Sequence, residues 1–309
     1  MESLQTQIEN YLEFCGSQKC LDQKTLKAYR IDLRQFYEQN LNKAAYEFTP
    51  KMLERYIAKL HETYKPRTVK RKIASVKAFF CYLEFKETIE HNPFNKVQVH
   101  FREPVNLPKT ISLKTVELFL STIYKERRNA KSLYQKRAAI RDAAIAELLF
   151  ATGMRISELC ELKTSDVNLY DGTILIYGKG SKERRIQVAN EEVIQILVEY
   201  KESFGGIKRL CGNFFINQSG KPVSDQAVRR MINKYTSIAS IEQHITPHMF
   251  RHTFATSLLE ADVDIRYIQE MLGHSSINIT EIYTHVAVAK QKHILETRHP
   301  RKDFCVRTE

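Results

Sequence analysis

Glycine and proline are scarce, ten and eight residues in 309. That scarcity excludes a loop-dominated or low-complexity chain and favours long helices over loops and sheet. The six cysteines (Cys15, Cys20, Cys81, Cys160, Cys211 and Cys305) include no Cys-x-x-Cys pair, which argues for reduced thiols rather than a zinc site or disulfides. No apolar run approaches the ~20 residues needed to span a bilayer. The opening MESLQTQIENYLEF is acidic and amphipathic, unlike a signal peptide with its basic and then apolar regions. A cytoplasmic protein with no membrane partner is expected. Acidic residues are missing between Lys65 and Lys77, where six basic ones stand: Lys65, Arg67, Lys70, Arg71, Lys72 and Lys77. A solvated helix face can carry such a run, but charge of one sign without a counterpart favours DNA. The formal charge of +12 likewise points to a polyanionic partner. Hydrophobic content of 43% beside 27% charged residues is that of a folded globular protein, and the length suits two domains.

Residues 1–100 read as four amphipathic helices. Leu4, Ile8, Tyr11 and Leu12 form one apolar stripe, and Leu26, Tyr29, Leu33, Phe36 and Tyr37 a second. Thr49-Pro50 is a cap followed by a first-turn proline, opening a helix with Leu53, Ile57 and Leu60 inward. Val69, Ile73, Val76, Phe80 and Leu83 mark the fourth. The stretch 91–110, with Pro93, Pro104 and Pro108 and no helical period, reads as an interdomain linker centred on 101–108. Helices resume in a second domain over 109–309. Within it GTILIYGKGSKERRIQV alternates as a hairpin does, Ile174 and Ile176 sharing one face and Ile186 and Val188 another. The fold class expected is mainly α with a small antiparallel sheet in the second domain.

Four patterns carry chemistry. In ATGMRISELCEL, Gly153 breaks a helix and Arg155 starts the next, while Ile156, Leu159 and Cys160 continue the inward face and leave Arg155 pointing elsewhere. The GKGSK turn places Lys179 between two glycines at a tip. A P-loop is excluded, because Gly172 and Gly178 enclose five residues instead of four and Gly180 follows the lysine. Lys182 is near enough to share the cationic role. In TPHMFRHTFATSLL, Thr246 and Pro247 open a helix, Phe250, Phe254 and Leu258 face inward, and His248 and Arg251 lie together on another face near an anion-favouring helix N-terminus. His248 and His252 have the spacing of a zinc helix, but Met249 occupies the general-base position and Arg251 would put a cation in the site, so a metal is not expected. In IQEMLGHSSINITEIYTH, Gly273 ends a helix, His274 lies in the connector and Tyr283 comes two turns along the next helix, with Ile279 and Ile282 free to supply its core contacts.

Each residue alone has an ordinary reading, a surface arginine or a packed tyrosine. Together they suit phosphodiester transfer without metal or nucleotide cofactor. Two guanidiniums can clamp the non-bridging oxygens and stabilise the pentacoordinate state. A phenol is only about 0.1% ionised at pH 7 and needs a proton acceptor such as His248. The leaving 5′-oxygen needs a proton, which Lys179 could give. A covalent tyrosyl bond would conserve the phosphodiester energy for resealing.

ATGMRISEL, GKGSKERRIQV, TPHMFRHTFAT and LGHSSINITEIYTHV, in this order, resemble the tyrosine recombinase (phage integrase) family, most closely its Xer type, over nearly the whole chain. The resemblance implies a two-domain C-shaped DNA clamp, with a helical SAM-like core-binding domain over 1–100 and a catalytic domain over 109–309. It implies that Arg155, Lys179, His248, Arg251 and His274 surround the phosphate and that Tyr283 forms a 3′-phosphotyrosyl bond. It further implies a Holliday-junction pathway on two duplex sites, run by a homotetramer or by a heterotetramer with a second recombinase. Resolution of chromosome or plasmid dimers and integration or excision of a mobile element are both compatible with it. A type IB topoisomerase-like relaxase, a recombinase-derived regulator that does not cut, and a basic structural protein are the competing readings.

Overall fold

Capped helices build the first hundred residues. The computed structural model describes residues 2–41, 43–99, 109–178, 183–207 and 210–273, and the chain divides into two compact units, Met1–Val105 and Asn106–Glu309. In the first unit α1 (Leu4–Ser17) begins where the Ser3 hydroxyl accepts from the Thr6 N–H, and α2 (Gln23–Glu38) where the Asp22 carboxylate accepts from Thr25. Thr49 caps α3 (Pro50–Thr63), while α4 (Pro66–Phe85) opens on Pro66 with Lys65 at its N-cap. Pro at the first helical position loses no hydrogen bond, since that N–H has no intrahelical acceptor.

The predicted stripes meet in one core. Tyr11, Leu33, Phe36, Leu53, Val76, Phe79 and Phe80 are essentially excluded from solvent, and Phe36 meets Tyr56 edge-on at 5.0 Å between centroids. Both Phe79 and Phe80 are buried because α4 packs against α1, α2 and α3. The stretch 91–110 is therefore not connector throughout. Pro93–Lys96 forms a 3-10 turn, and Phe94 is buried against Phe80, 5.8 Å between centroids. Proline content marked this turn as linker, but its aromatic belongs to the first core. Residues 101–108 lie outside the described residues.

In the second unit α5 (Leu113–Arg128) and α6 (Leu133–Thr152) lead into α7 (Ile156–Glu161). A sheet follows, β1 (Val167–Asn168), β2 (Thr173–Tyr177) and β3 (Glu183–Gln187), antiparallel in the order β1-β2-β3. The hairpin register pairs Ile174 with Ile186 and Ile176 with Arg184. Then come α8 (Glu191–Ser203), α9 (Asp225–Ile238), α10 (Pro247–Glu260) and α11 (Ile265–Leu272). Helix α6 packs against α5, α8 and α10. Alanines 139, 143, 144 and 146, all buried, let its neighbours approach closely. Tyr200 joins the core to the chain beyond it, its hydroxyl donating to the Phe214 carbonyl at 3.0 Å and accepting from the Ile216 N–H at 2.8 Å.

The α10 stripe divides between two clusters. Phe250 enters the main core, whereas Phe254 and Leu258 are half-buried in a satellite cluster with Ala255, Ile268 and Leu272. Gly153 makes this junction possible. It caps α6 in the left-handed conformation, φ 58°, and a β-carbon there would lie 2.6 Å from the Phe254 ring, a position only glycine fills without strain.

Candidate active site

Once Gly153 has turned the chain out of α6, Arg155 stands at the N-cap of α7 in extended geometry. Glu158, one turn in, reaches back. Its Oε2 accepts the Arg155 backbone N–H at 2.8 Å and its Oε1 accepts the Arg155 guanidinium at 2.7 Å. The Arg155 side chain keeps 34% of its surface exposed while that of Glu158 keeps 5%, so a half-exposed guanidinium is fixed at one end by an enclosed carboxylate. Arg184 of β3 grips the same carboxylate with two nitrogens, at 3.0 and 2.7 Å, and its Nε donates to the Met271 carbonyl at 2.8 Å. Burial pushes the Glu158 carboxyl up. The hydrogen bonds and charges of Arg184 and Arg155 outweigh that push and hold it below the ordinary carboxylate range.

Arg251, on α10, is 4% exposed. Its guanidinium donates to the Gly153 carbonyl at 2.9 Å and to the Leu272 carbonyl at 2.7 Å, tying the end of α6 to the end of α11. His248 sits nearly one turn before it and keeps part of its surface open to solvent. Burial, and then the positive charges of Arg229, Arg251 and Arg155, lower the His248 pKa below the usual imidazole value. The ring is therefore neutral near pH 7 and able to accept a proton. His252 is lowered too, by burial and by His248 and Arg251. Thr246 holds the N-cap position as expected, but its hydroxyl makes no cap bond and its carbonyl accepts from Met249 instead.

Arg155, His248 and Arg251 thus converge from α7 and α10. Lys179, Lys182, His274 and Tyr283 lie outside the described residues. Two contributors were not foreseen. Arg229 of α9 acts on His248 through its charge, and nothing in the local pattern of that helix singles it out. Arg184 had a readable signal: it shares strand parity with the inward Ile186, so a cation on the buried face needed a partner.

The basic run of α4 splits in two. Lys65, Arg67, Lys70 and Lys77 are exposed, as a phosphate-facing surface requires. Lys72 does not belong with them. It is 2% exposed, 3.2 Å from the fully enclosed Asp32 of α2, hydrogen-bonded to Gln35 and 4.7 Å above the Tyr64 ring. Arg71 is exposed but also bonded to Asp32, which accepts from Ser75 at 3.0 Å as well. The acid absent between residues 65 and 77 is supplied by another helix, and an ammonium enclosed this way is not presented to DNA.

Fold and site together set paired arginines beside a neutral histidine, an arrangement chemically suited to an anion such as a phosphodiester. The phage integrase family model matches residues 120–290, and the model of the phage integrase N-terminal SAM-like domain matches residues 8–87. The chain belongs to the phage integrase family, the tyrosine recombinases, and within it resembles the Xer type. A tyrosine recombinase of Agathobacter rectalis is 68% identical over 304 residues, 98% of this chain and 99% of the relative. The tyrosine recombinase XerD of Listeria innocua is 35% identical over 303 residues, 95% and 98% of the two chains, and XerC of Bacillus subtilis 33% over 313 residues, 97% and 98%. In fold, the XerH recombinase bound to its difH substrate superimposes with a TM-score of 0.75 at 23% identity over 94% of this chain and 84% of that one. A lambda integrase dimer on a core site gives 0.68 at 19% identity over 100% and 99%. Among the described residues no helix is long and apolar enough to cross a membrane.

Proposed function

We propose that this DNA recombinase cuts and rejoins duplex DNA at a specific site through Tyr283. The observation that carries the reading is the convergence of Arg155, Arg251 and a His248 held neutral by burial and by neighbouring cations. Arg155 and Arg251 bind the non-bridging oxygens and gather charge as phosphorus becomes pentacoordinate. The Tyr283 hydroxyl attacks, giving its proton to His248. The bond from its oxygen to phosphorus forms as the bond to the 5′-oxygen breaks, and Lys179 protonates that oxygen to leave a 5′-hydroxyl and a 3′-phosphotyrosyl end. His274 hydrogen-bonds the phosphate. Attack by a 5′-hydroxyl from a second duplex reverses these steps and joins the exchanged strand with no energy input beyond the covalent bond itself.

Lys65, Arg67, Lys70 and Lys77 of the first unit, with Arg71 at their edge and Lys182 of the second unit, contact the DNA backbone. The first unit is the core-binding domain, and the enzyme works in the cytoplasm as two pairs of protomers on two duplex sites, through a Holliday junction. Likeness to both XerC and XerD relatives is compatible with either four identical copies or a pairing with a second recombinase, in dimer resolution or in the movement of a genetic element.

Covalent capture tests the reading. A pool of duplexes with a randomised window and a single nick is incubated with the chain, and protein-linked DNA is recovered and sequenced. A shared sequence should emerge, and Tyr283→Phe should yield no protein-linked DNA. Capture by the phenylalanine variant would remove Tyr283 as nucleophile. Site-independent relaxation of a supercoiled plasmid would instead support a topoisomerase-type relaxase.

A further inference from the structure

We infer that Arg184 is a positioning residue that locks the phosphate-binding arginine and the end of α11 into one rigid frame. The inference rests on the proposed chemistry and deepens it. Arg184 occupies an inward strand position, on the face of Ile186, with only 8% of its side chain exposed. An apolar residue there would cement sheet to helices at least as well, since buried ion pairs are often no more stabilising than packed hydrophobes. What an apolar side chain could not do is fix directions. The planar fork of Arg184 meets both Glu158 oxygens, and Oε1 is the atom that also holds the Arg155 guanidinium. Its third donor ends on the Met271 carbonyl, one residue before the Leu272 carbonyl that Arg251 holds. Two arginines thus fasten the last turn of α11, from which the chain runs to His274 and Tyr283.

Gly273 fits this frame. It caps α11 at φ 63°, and a β-carbon there would lie 2.9 Å from the Arg184 Cδ and 3.0 Å from its guanidinium. The strand bearing Arg184 also begins four residues after Lys179 in the sequence. One side chain of β3 therefore joins α7 and α11.

The test uses the full chain and the duplex recovered by covalent capture, nicked so that cleavage cannot reverse. Arg184→Met should lower the single-turnover rate of covalent complex formation by about 10²-fold, the scale expected when reacting groups are slightly misplaced. Arg184→Lys, which keeps the charge but not the fork, should fall between it and wild type; if the methionine variant does not fold, the lysine variant carries the test. Both should bind the duplex within about threefold of wild type, as expected of a group that acts on reacting geometry and not on ground-state binding. A second substrate carries sulfur in place of the 5′-bridging oxygen, a leaving group that needs no proton. The defect should persist on it, because the misplaced groups are those around phosphorus. Unchanged rates would overturn the inference, as would losses that only track binding or stability, or a defect that vanishes on the sulfur substrate. Failure of the wild-type chain to form any covalent complex would instead bring down the proposed chemistry, and this inference with it.

Discussion

Asp32 in the first unit and Glu158 in the second are both enclosed carboxylates, and each holds one buried cation from another element and one more open arginine. At Asp32 the buried partner is Lys72, with 3% of its side chain exposed, and the open one is Arg71, with 44%. At Glu158 they are Arg184, with 8%, and Arg155, with 34%. The chemistry of the buried partner separates the two. The Lys72 ammonium ends on Asp32, Gln35 and the Tyr64 ring and joins helices of one bundle. The planar guanidinium of Arg184 runs on to a third element and fixes direction as well as distance. The first cluster should therefore govern stability, and the second the rate of chemistry.

The largest effect should come from breaking the first cluster. Asp32→Ala leaves Lys72 enclosed without its counter-charge, and removing one partner of a buried pair costs about 3–5 kcal/mol. Denaturant unfolding should show that loss while covalent capture by the remaining folded protein changes little. Arg155→Ala should invert the pattern. Cleavage should drop by about 10²–10³-fold, the cost of losing one donor to transition-state charge. Stability should fall by no more than about 1 kcal/mol, because the arginine is part-exposed and Glu158 keeps both bonds to Arg184. If Arg155→Ala unfolds the chain as readily as Asp32→Ala does, the two clusters do the same job.

These contrasts were only partly legible in the sequence. The stripes of α1 to α4 could be read because apolar spacing is local, and so could the ends of α6 and α11, where Gly153 and Gly273 stand alone after apolar periods. Glu158 lies three residues from Arg155 on the same helix and is within reach of the same reasoning. Lys72 was misread because its partner is forty residues away, and no window along the chain contains both. Arg229 could not be found for the same reason, since its effect on His248 exists only once α9 and α10 are packed. Phe94 was hidden by the prolines around it, which signal a turn whether the turn is buried or not.

Acidity offers a finer probe of the second cluster. The His248 pKa is lowered, so the folded state favours the neutral ring and the unfolded chain takes up a proton first. Stability from this group is present above the ordinary histidine pKa and declines as pH falls below it. Cleavage should hold through neutral pH and then fall about tenfold per unit once His248 protonates. Glu158 acts further down. Its pKa is lowered by its arginines, so its contribution is full above the ordinary carboxylate pKa and disappears as pH falls through the lowered one. Single-turnover rates against pH check the first limb, and in Glu158→Gln the acid-side loss of stability should shrink. A cleavage profile without an acid limb would remove His248 as proton acceptor.

The smallest effect sharpens the comparison within α4 itself. Each lysine that neutralises a DNA phosphate releases counterions, so removing one should reduce the slope of log affinity against log salt by about 0.9. Lys70→Ala and Lys77→Ala should each do so, because both are exposed. Lys72→Met should leave the slope unchanged even if the protein is less stable, since its ammonium already has Asp32 at 3.2 Å and releases no counterion on binding. Measured on the captured duplex over a range of salt, an equal slope change for all three lysines would mean that Lys72 leaves Asp32 for the DNA, and that the first cluster opens on binding.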